Sequence, residues 1–431
     1  MSELKTIEAQ LLQELQERAV SKYAYVLSET EKQELNTEGA DFKLMRTVFG
    51  ANVSVIVFDG TRKGAANGND CSEEGIKAVV ESAAAAAASS PEDPANDIAP
   101  DQGSHAFYQG IYEPDFERFF DRLKELQSAI AAEYPKVNVM QMVGDHTKTH
   151  SLYANSNGTK VESFRGCYDV TLEFSAADGE KNSGLDYTFL RTVSLDKPLI
   201  ELSDFRRKLS DIEKQIDPEP LQGKFEGTAV ITPGCLVDLL SMTLENYAGS
   251  GVIIDGTSLW LDKVGEKVAD ERITVGFDPF DETIVCAERI TGDGFLAEPA
   301  NIIENGVLKA HMLSLYAANK TGRPVMKSGS GLVMKAGAQS LEEIVGGIEK
   351  GLVVGGFSGG QPGTNGEFSG VAKNSFLIEN GCVTKAVTET MINGNLGDML
   401  QHVRGISAER DVQGVFTLPY LAVDGIVISG K

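Results

Sequence analysis

Two short stretches in the second half of the chain repeat one pattern, and this pattern limits the folds open to the chain. Each has an apolar run, an Asn-Gly pair and a return run: NIIENGVLKA turns at Asn305-Gly306, and FLIENGCVTKA turns at Asn380-Gly381. An Asn-Gly pair favours the type I′ turn, which joins two antiparallel strands. The repeat therefore predicts β-hairpins and a mostly antiparallel β domain in this half.

The first half mixes helical and strand periodicities. Helical spacing of apolar residues is present near the N-terminus, at Ile7, Leu11, Leu15 and Ala19. Apolar residues alternate with polar ones at Tyr168, Val170, Leu172 and Phe174, and this pattern predicts a half-buried antiparallel strand. Further helices are predicted from Ser72, after Pro114, and from Ser203, as N-cap, to about Ile216; further strands are predicted at Tyr23–Leu27 and Asn52–Asp59.

A proline-containing stretch, Asp217–Pro220, predicts the break between the two halves. We expect an N-terminal α/β lobe at 1–217, with an antiparallel sheet and flanking helices. A C-terminal, mostly antiparallel β domain is expected at 222–431. The predicted fold class is therefore α+β, and a length of 431 residues accommodates two such domains.

Composition narrows the classes of function. The chain has 63 acidic and 39 basic residues and a formal net charge of −24, which argues against direct binding to nucleic acid. No apolar run reaches the roughly 20 residues that a membrane helix needs. The N-terminus, MSELKTIEAQ, lacks the pattern of a signal peptide, and the five cysteines form no CxxC motif. These features predict a cytoplasmic protein with reduced thiols.

Histidines give weak signals for a metal site. His146 and His150 are four residues apart in HTKTH, but their surroundings predict a strand, where this spacing separates them by about 13 Å. We expect His311 in a strand and His402 near a helix end, both in packing or surface roles. The glycine clusters SGSG and GGFSGG lack the GK[ST] ending of a phosphate-binding loop and predict turns.

Candidate nucleophiles are few. No GxSxG motif is present. Cys235 opens a predicted helix at Cys235–Tyr247, where the helix dipole could lower the pKa of its thiol, although a buried role is expected. A hydrolase that uses Cys235 or Ser241 is one alternative that the residues leave open.

A succession of motifs in the second half resembles the TldD/PmbA family, whose members are also described as modulators of DNA gyrase. The motifs are IIENGVLKAHMLSLYAANKTGR, KSGSG, GLVVGGFSGG, GEFSG, SFLIENG, INGNLGDML and FTLPYLAVDGIVISGK. In the first half, VSVIVFDGTRKGAA resembles the opening hairpin of the family. The resemblance covers nearly the whole chain in order and spacing.

This resemblance implies a two-part cytosolic peptidase acting on unfolded or small peptides. The TldD-type subunit carries an HExxxH helix and a later cysteine as zinc ligands, with the glutamate as general base; the PmbA/TldE-type subunit lacks them. Here the helix reads SMTLEN, from Ser241 to Asn246, and the cysteine position falls on Ala372. Cys382 lies beyond the second Asn-Gly turn and is not expected to replace the missing ligand. The resemblance thus implies no catalytic, cofactor-binding or metal-binding residues in this chain, and zinc only in a partner.

The first prediction is therefore a metal-free subunit that completes a peptide-holding chamber beside a metal-bearing, TldD-like partner. Whether the chain is itself an enzyme is left open. A non-catalytic, peptide-binding homodimer is one alternative, and a hydrolase with a different nucleophile is the other. We also hypothesise that strand Ser375–Glu379 exposes an edge to which a peptide adds as a further strand.

Overall fold

A computed structural model describes residues 3–39 and 41–431 and arranges them around two β-sheets. The first sheet contains β1 Lys22–Glu38, β2 Asp41–Asp59, β3 Arg62–Gly68, β4 Ser104–Gly110, β5 Val137–Asn155, β6 Lys160–Asp178, β7 Lys181–Asn182 and β8 Asp186–Thr192. Their order is β3-β2-β1-β5-β6-β4, and β7 and β8 also pair with β6. The pairs are antiparallel except for β4 with β6, which confirms the predicted antiparallel sheet.

Helices flank this sheet, as the periodicity predicted. They are α1 Glu3–Glu17, α2 Glu73–Ser89, α3 Phe116–Glu133 and α4 Phe205–Lys214, with a 3-10 turn at Leu199–Glu201. Ser72 caps α2 by accepting a hydrogen bond from the Gly75 amide, and Asp115 caps α3 by accepting one from the Arg118 amide. The apolar face of α3 buries Phe119, Leu123, Leu126 and Ile130 against the sheet.

The prediction that Ser203 is the N-cap of α4 is wrong. Ser203 has a φ of 52°, in the left-handed region, and Asp204 occupies the N-cap position. The carboxylate of Asp204 instead bonds to Thr188 and pairs with Arg207. α4 ends at Lys214, so Ile216 is buried beyond the helix rather than on it.

The second sheet belongs to the second half of the chain. Its strands are β9 Glu219–Pro220, β10 Lys224–Ile231, β11 Val275–Phe277, β12 Ala300–Glu304, β13 Val307–Leu308, β14 Leu332–Met334, β15 Lys350–Val354, β16 Gly356–Gly359, β17 Glu367–Lys373, β18 Ser375–Glu379, β19 Cys382–Thr388, β20 Met391–Asn395, β21 Val403–Val412 and β22 Phe416–Ser429. The helices are α5 Pro233–Ala248, α6 Ser250–Ile254, α7 Leu315–Thr321, α8 Leu341–Gly346 and α9 Leu396–Gln401.

The long strand β22 organises this sheet. It pairs antiparallel with β10, β20 and β21 and parallel with β14. Parallel pairs also join β10 to β15 and β9 to β19, so the sheet is mixed, with antiparallel pairs in the majority. The α+β fold class is confirmed.

Both repeated hairpins form as predicted. Asn305 and Gly306 have φ values of 49° and 77° between β12 and β13. Asn380 and Gly381 have values of 50° and 76° between β18 and β19. Positive φ at both central residues is what a type I′ turn requires.

The two halves touch at several points. The Gln215 side-chain amide donates to the Ser375 carbonyl at 2.9 Å, and the Arg191 amide donates to the Gln413 carbonyl at 2.9 Å. The boundary near Asp217–Pro220 stays a prediction. No helix in the described ranges is both long and apolar enough to cross a bilayer.

Candidate functional site

Helix α5 lies at the centre of the candidate site. Proline at its first position suits a helix start, because the missing N–H would have no partner there. One face is apolar and buried against the second sheet, and it includes Leu236, Leu239, Leu240 and Leu244. The opposite face is polar and exposed at Asp238, Ser241 and Glu245. This polar face is the part of α5 that is open to solvent.

The positions that the family resemblance assigns to metal ligands carry poor donors. Ser241 is exposed and Asn246 is half-buried on α5. Ala372, on β17, is 3% exposed and lies in the same apolar cluster as Leu239. A hydroxyl, an amide and a methyl group do not match the imidazole and thiolate ligands that zinc prefers. These residues do not fit a zinc ion.

An acidic cavity of about 420 Å³ lies at the C-terminal end of α5. Its wall carries three carboxylates, from Glu245, Glu288 and Asp293, beside Met312 and Met326. One Asp293 oxygen accepts a hydrogen bond from the Leu315 amide at 2.8 Å, which fixes this side chain at the start of α7. Sequence analysis missed these residues, because they are dispersed along the chain and form no motif.

A second cavity, of about 450 Å³, lies between the two halves at the N-terminal end of α5. The first half contributes Lys208, whose ammonium group bonds to Asp186 at 2.9 Å. The second half contributes Asp238 and the strand β16. Although Asp238 is solvent-exposed, partial desolvation of its carboxyl group at the cavity wall raises its pKa, and the positive charge of Lys208 partly offsets this effect.

The glycine-rich loop between β16 and β17 packs on the end of α5. Gly366 has a φ of 84°, and a Cβ there would lie 1.7 Å from the phenol oxygen of Tyr247. This phenol donates to the Asn365 carbonyl at 3.3 Å. Only glycine suits this close approach. The loop also borders a third cavity, of about 960 Å³, which includes Glu367 and Asp398.

The hypothesis of an open edge at Ser375–Glu379 is wrong. This strand, β18, pairs with β15 on one side and with β19 on the other. Its backbone groups are therefore engaged, and a peptide cannot add to it. Sequence could not reveal this, because the partner β15 lies more than 20 residues earlier in the chain.

Of the sequence-predicted histidines, His402 lines the third cavity, and the described linings of the two cavities at the ends of α5 contain none of them. His146 and His150 lie on β5, a strand as predicted; the first bonds to the Ile111 carbonyl and the second to Glu162. His402 follows α9, as expected. The prediction that His311 lies in a strand is wrong: it lies in a loop and bonds to the Trp260 carbonyl at 3.0 Å. No group of three His, Cys, Asp or Glu side chains that could hold a metal occurs in residues 3–39 and 41–431.

The candidate nucleophiles have no activating partner among the described residues. Cys235 is 1% exposed, and burial raises the pKa of its thiol to about 12, so the neutral form dominates. Cys382 is exposed in β19, on the far side of the hairpin turn. No hydrogen bond joins Ser241 to a histidine, because the ring bonds of the five histidines all go elsewhere.

Comparisons with known proteins agree with this architecture. The model of the PmbA/TldA metallopeptidase C-terminal domain matches residues 224–430, and that of PmbA/TldA metallopeptidase domain 1 matches residues 26–87. A metalloprotease of Methanothermobacter thermautotrophicus is 28% identical over 282 residues. The match covers 61% of this chain and spans 61% of that relative's length. The metalloprotease PmbA homolog of Haemophilus influenzae is 23% identical over 94% of this chain and 89% of its own.

Solved structures share the fold. The crystal structure of TldE from Thermococcus kodakarensis superimposes with a TM-score of 0.84, at 21% identity, over 98% of this chain and 99% of that one. At this identity the likeness establishes the fold. One family model matches each half of the chain, and these matches and the shared fold together confirm the resemblance seen in the motifs. The chain belongs to the PmbA/TldD family of metallopeptidase-related proteins.

Proposed function

We propose that this chain is the metal-free, PmbA/TldE-type subunit of a cytosolic, two-subunit peptidase. A metal-bearing, TldD-like partner hydrolyses unfolded or small peptides, and this chain forms part of the chamber that holds them. One observation carries the proposal: the fold matches that of TldE over 98% of this chain, while the positions that the family resemblance assigns to metal ligands hold Ser241, Asn246 and Ala372. Direct contact with DNA is not part of the proposal, because a net charge of −24 repels phosphate.

The chamber role is supported by the polar face of α5. This face is exposed, and cavities border both of its ends. The wall therefore stays open to a peptide, although the residues that would bind zinc are replaced. In this arrangement the chain confines and orients a peptide, and it contributes no base and no metal-bound water.

A partner is supported by an open strand edge in the first half. β3 pairs only with Val53–Asp59 of β2, so residues 41–52 have no second strand neighbour within the described ranges. We name residues 41–52 the β2 arm. Met45 is 71% and Phe49 is 74% exposed on this arm. A long, exposed, apolar edge strand is the kind of surface that another chain covers.

Reconstitution tests the proposal. The purified chain should hydrolyse no unfolded peptide alone, and adding a metal-bearing TldD-like subunit should produce hydrolysis and a stable mixed complex. Hydrolysis by the isolated chain, blocked by a chelator, would contradict the proposal. A homodimer that binds peptide and ignores the metal-bearing subunit would favour the alternative of a peptide-binding homodimer.

The β2 arm allows a sharper test of assembly. Met45→Glu combined with Phe49→Glu places two charges on the arm and should weaken assembly by at least about tenfold, or roughly 1.4 kcal/mol. Leu259→Glu is the matched control, since Leu259 is an exposed apolar residue of the second half, at 53%. Sedimentation velocity measures the assembly of the arm variant and of the control with the metal-bearing subunit. Equal weakening by arm and control variants would remove the arm from the interface.

A further inference from the structure

Two of the five cysteines meet across the two halves of the molecule. Cys167 lies on β6 of the first sheet, and Cys286 lies in the segment between β11 and β12. The thiol of Cys286 lies 3.5 Å from the carbonyl oxygen of Gly166, the residue directly before Cys167 in β6. About 120 residues of sequence separate Cys286 from this part of β6. No sequence pattern indicates this pair, because the contact depends on how the two halves pack.

The backbone on both sides of Cys286 is anchored. The Val285 amide donates to the Gly414 carbonyl at 2.7 Å, and the Gln109 side chain donates to the Ala287 carbonyl at 2.9 Å. Cys286 itself has a φ of 53°, which is unusual for a residue with a side chain. Gly110 lies beside it: a Cβ there would lie 2.7 Å from the Cys286 sulfur. The thiol is thus held in a fixed position next to β6.

The surroundings make the two thiols chemically different. A hydrogen bond from Cys167 lowers the pKa of the Cys286 thiol, and the positive charges of Arg191 and Arg165 add to this effect. The same hydrogen bond and burial raise the pKa of Cys167. Arg191 is itself fixed by two bonds to Asp169, at 2.8 and 2.7 Å. A low-pKa thiol beside a protonated one is the arrangement of an attacking and a resolving cysteine.

We propose that Cys167 and Cys286 are a peroxide-sensitive thiol pair, whose oxidation forms a disulfide that links the two halves of the molecule. The Cys286 thiolate attacks one oxygen of a hydroperoxide; an S–O bond forms, the O–O bond breaks, and the leaving oxygen takes a proton. The Cys167 sulfur, losing its proton, then attacks the sulfenic sulfur of Cys286; the S–S bond forms and water leaves. Two thiols lose two electrons, which the peroxide accepts, and a dithiol reductant reverses the change.

The linkage restrains the interface between the halves. Cys286 is anchored to the second half, because the neighbouring Val285 amide bonds to the Gly414 carbonyl. Cys167 belongs to the first half, on β6, which pairs with β8. β8 and its neighbours form one wall of the cavity at the N-terminal end of α5. The disulfide would hold this wall against the second half, so oxidation is expected to oppose any widening of the cavity. This inference is independent of the proposed peptidase partner.

Peptide mapping after peroxide treatment of the full chain tests the pair. Thiols are alkylated before digestion, and digestion is done without reductant. We expect one cross-linked peptide that contains Cys167 and Cys286, lighter by two hydrogen atoms, and a fall from five to three alkylated thiols. Dithiothreitol should restore five. Five alkylated thiols after treatment, or a cross-link between any other cysteines, would overturn the proposal.

Variants separate the two roles. Cys286→Ser should abolish the cross-link, and Cys167→Ser should leave Cys286 as a sulfenic acid that a dimedone probe labels. Cys382→Ser is the matched control, because Cys382 is exposed and distant in sequence from both, and it should leave the cross-link unchanged. A cross-link that survives Cys286→Ser, or dimedone labelling of Cys382 in place of Cys286, would contradict the assigned roles. The thermal midpoint of the oxidised wild type should exceed that of the reduced form.

Discussion

The buried carboxylate of Asp411 should make stability fall as pH rises. Asp411 lies on β21, with its side chain 12% exposed, and Arg207 of α4 donates to it at 3.2 Å. Burial raises the pKa of Asp411 from 3.8 to about 6; the charge of Arg207 opposes this shift, and the neighbouring Asp204 adds repulsion. The carboxyl group therefore holds its proton more tightly in the folded chain than in the unfolded one.

The sign and size follow from this shift. A raised pKa in the folded state contributes stability below about pH 4, and that contribution is lost as pH rises through about 6. A shift of about two units corresponds to about 3 kcal/mol of unfolding free energy, at about 1.4 kcal/mol per unit. Asp411→Asn keeps the shape of the side chain and removes this titration.

Urea denaturation at several pH values measures the effect. The unfolding free energy of the wild type, minus that of Asp411→Asn, should fall by about 3 kcal/mol between about pH 3 and about pH 8. Asp196→Asn is a control of opposite sign: hydrogen bonds from Ser194 and Arg118 lower the pKa of Asp196. The wild-type minus Asp196→Asn difference should therefore rise with pH at acidic pH and change little above about pH 5. A wild-type minus Asp411→Asn difference that stays flat or rises would refute the reasoning.

Other substitutions near α5 have predictable costs. Gly366→Ala should destabilise the chain by at least about 1–2 kcal/mol, because it combines a φ of 84° with overlap on Tyr247, whereas Gly360→Ala, with open space around it, should change stability by less than about 0.5 kcal/mol. Leu244→Ala should cost about 2–5 kcal/mol, because Leu244 is 1% exposed in the core, and the exposed Ser241→Ala should be close to neutral. Thermal denaturation checks both pairs; equal costs within a pair would contradict these explanations.

Local signals predicted much of the fold. A type I′ turn requires a positive φ at both central residues, and the Asn380-Gly381 pair meets this requirement locally. The hairpin between β18 and β19 formed as predicted. The α3 helix likewise formed after Pro114, as predicted. Such features depend on neighbours in sequence, so sequence patterns reveal them.

Non-local packing limited the rest. The edge of Ser375–Glu379 is closed by β15, and no pattern within β18 itself indicates that neighbour. Serine is a common N-cap residue, yet the N-cap position of α4 is occupied by Asp204, which pairs with Arg207, and not by Ser203. The carboxylates of the acidic cavity come together only when α5 and the segment after β11 pack against each other.

The zinc content of the isolated chain tests the central claim most directly. Native mass spectrometry of the purified chain, equilibrated with buffered zinc, counts the ions bound per chain. We expect no stoichiometric zinc, because the positions that the family resemblance assigns to the zinc ligands carry a hydroxyl, an amide and a methyl group, at Ser241, Asn246 and Ala372. One tightly bound zinc per chain, lost on substitution of α5 residues, would contradict it.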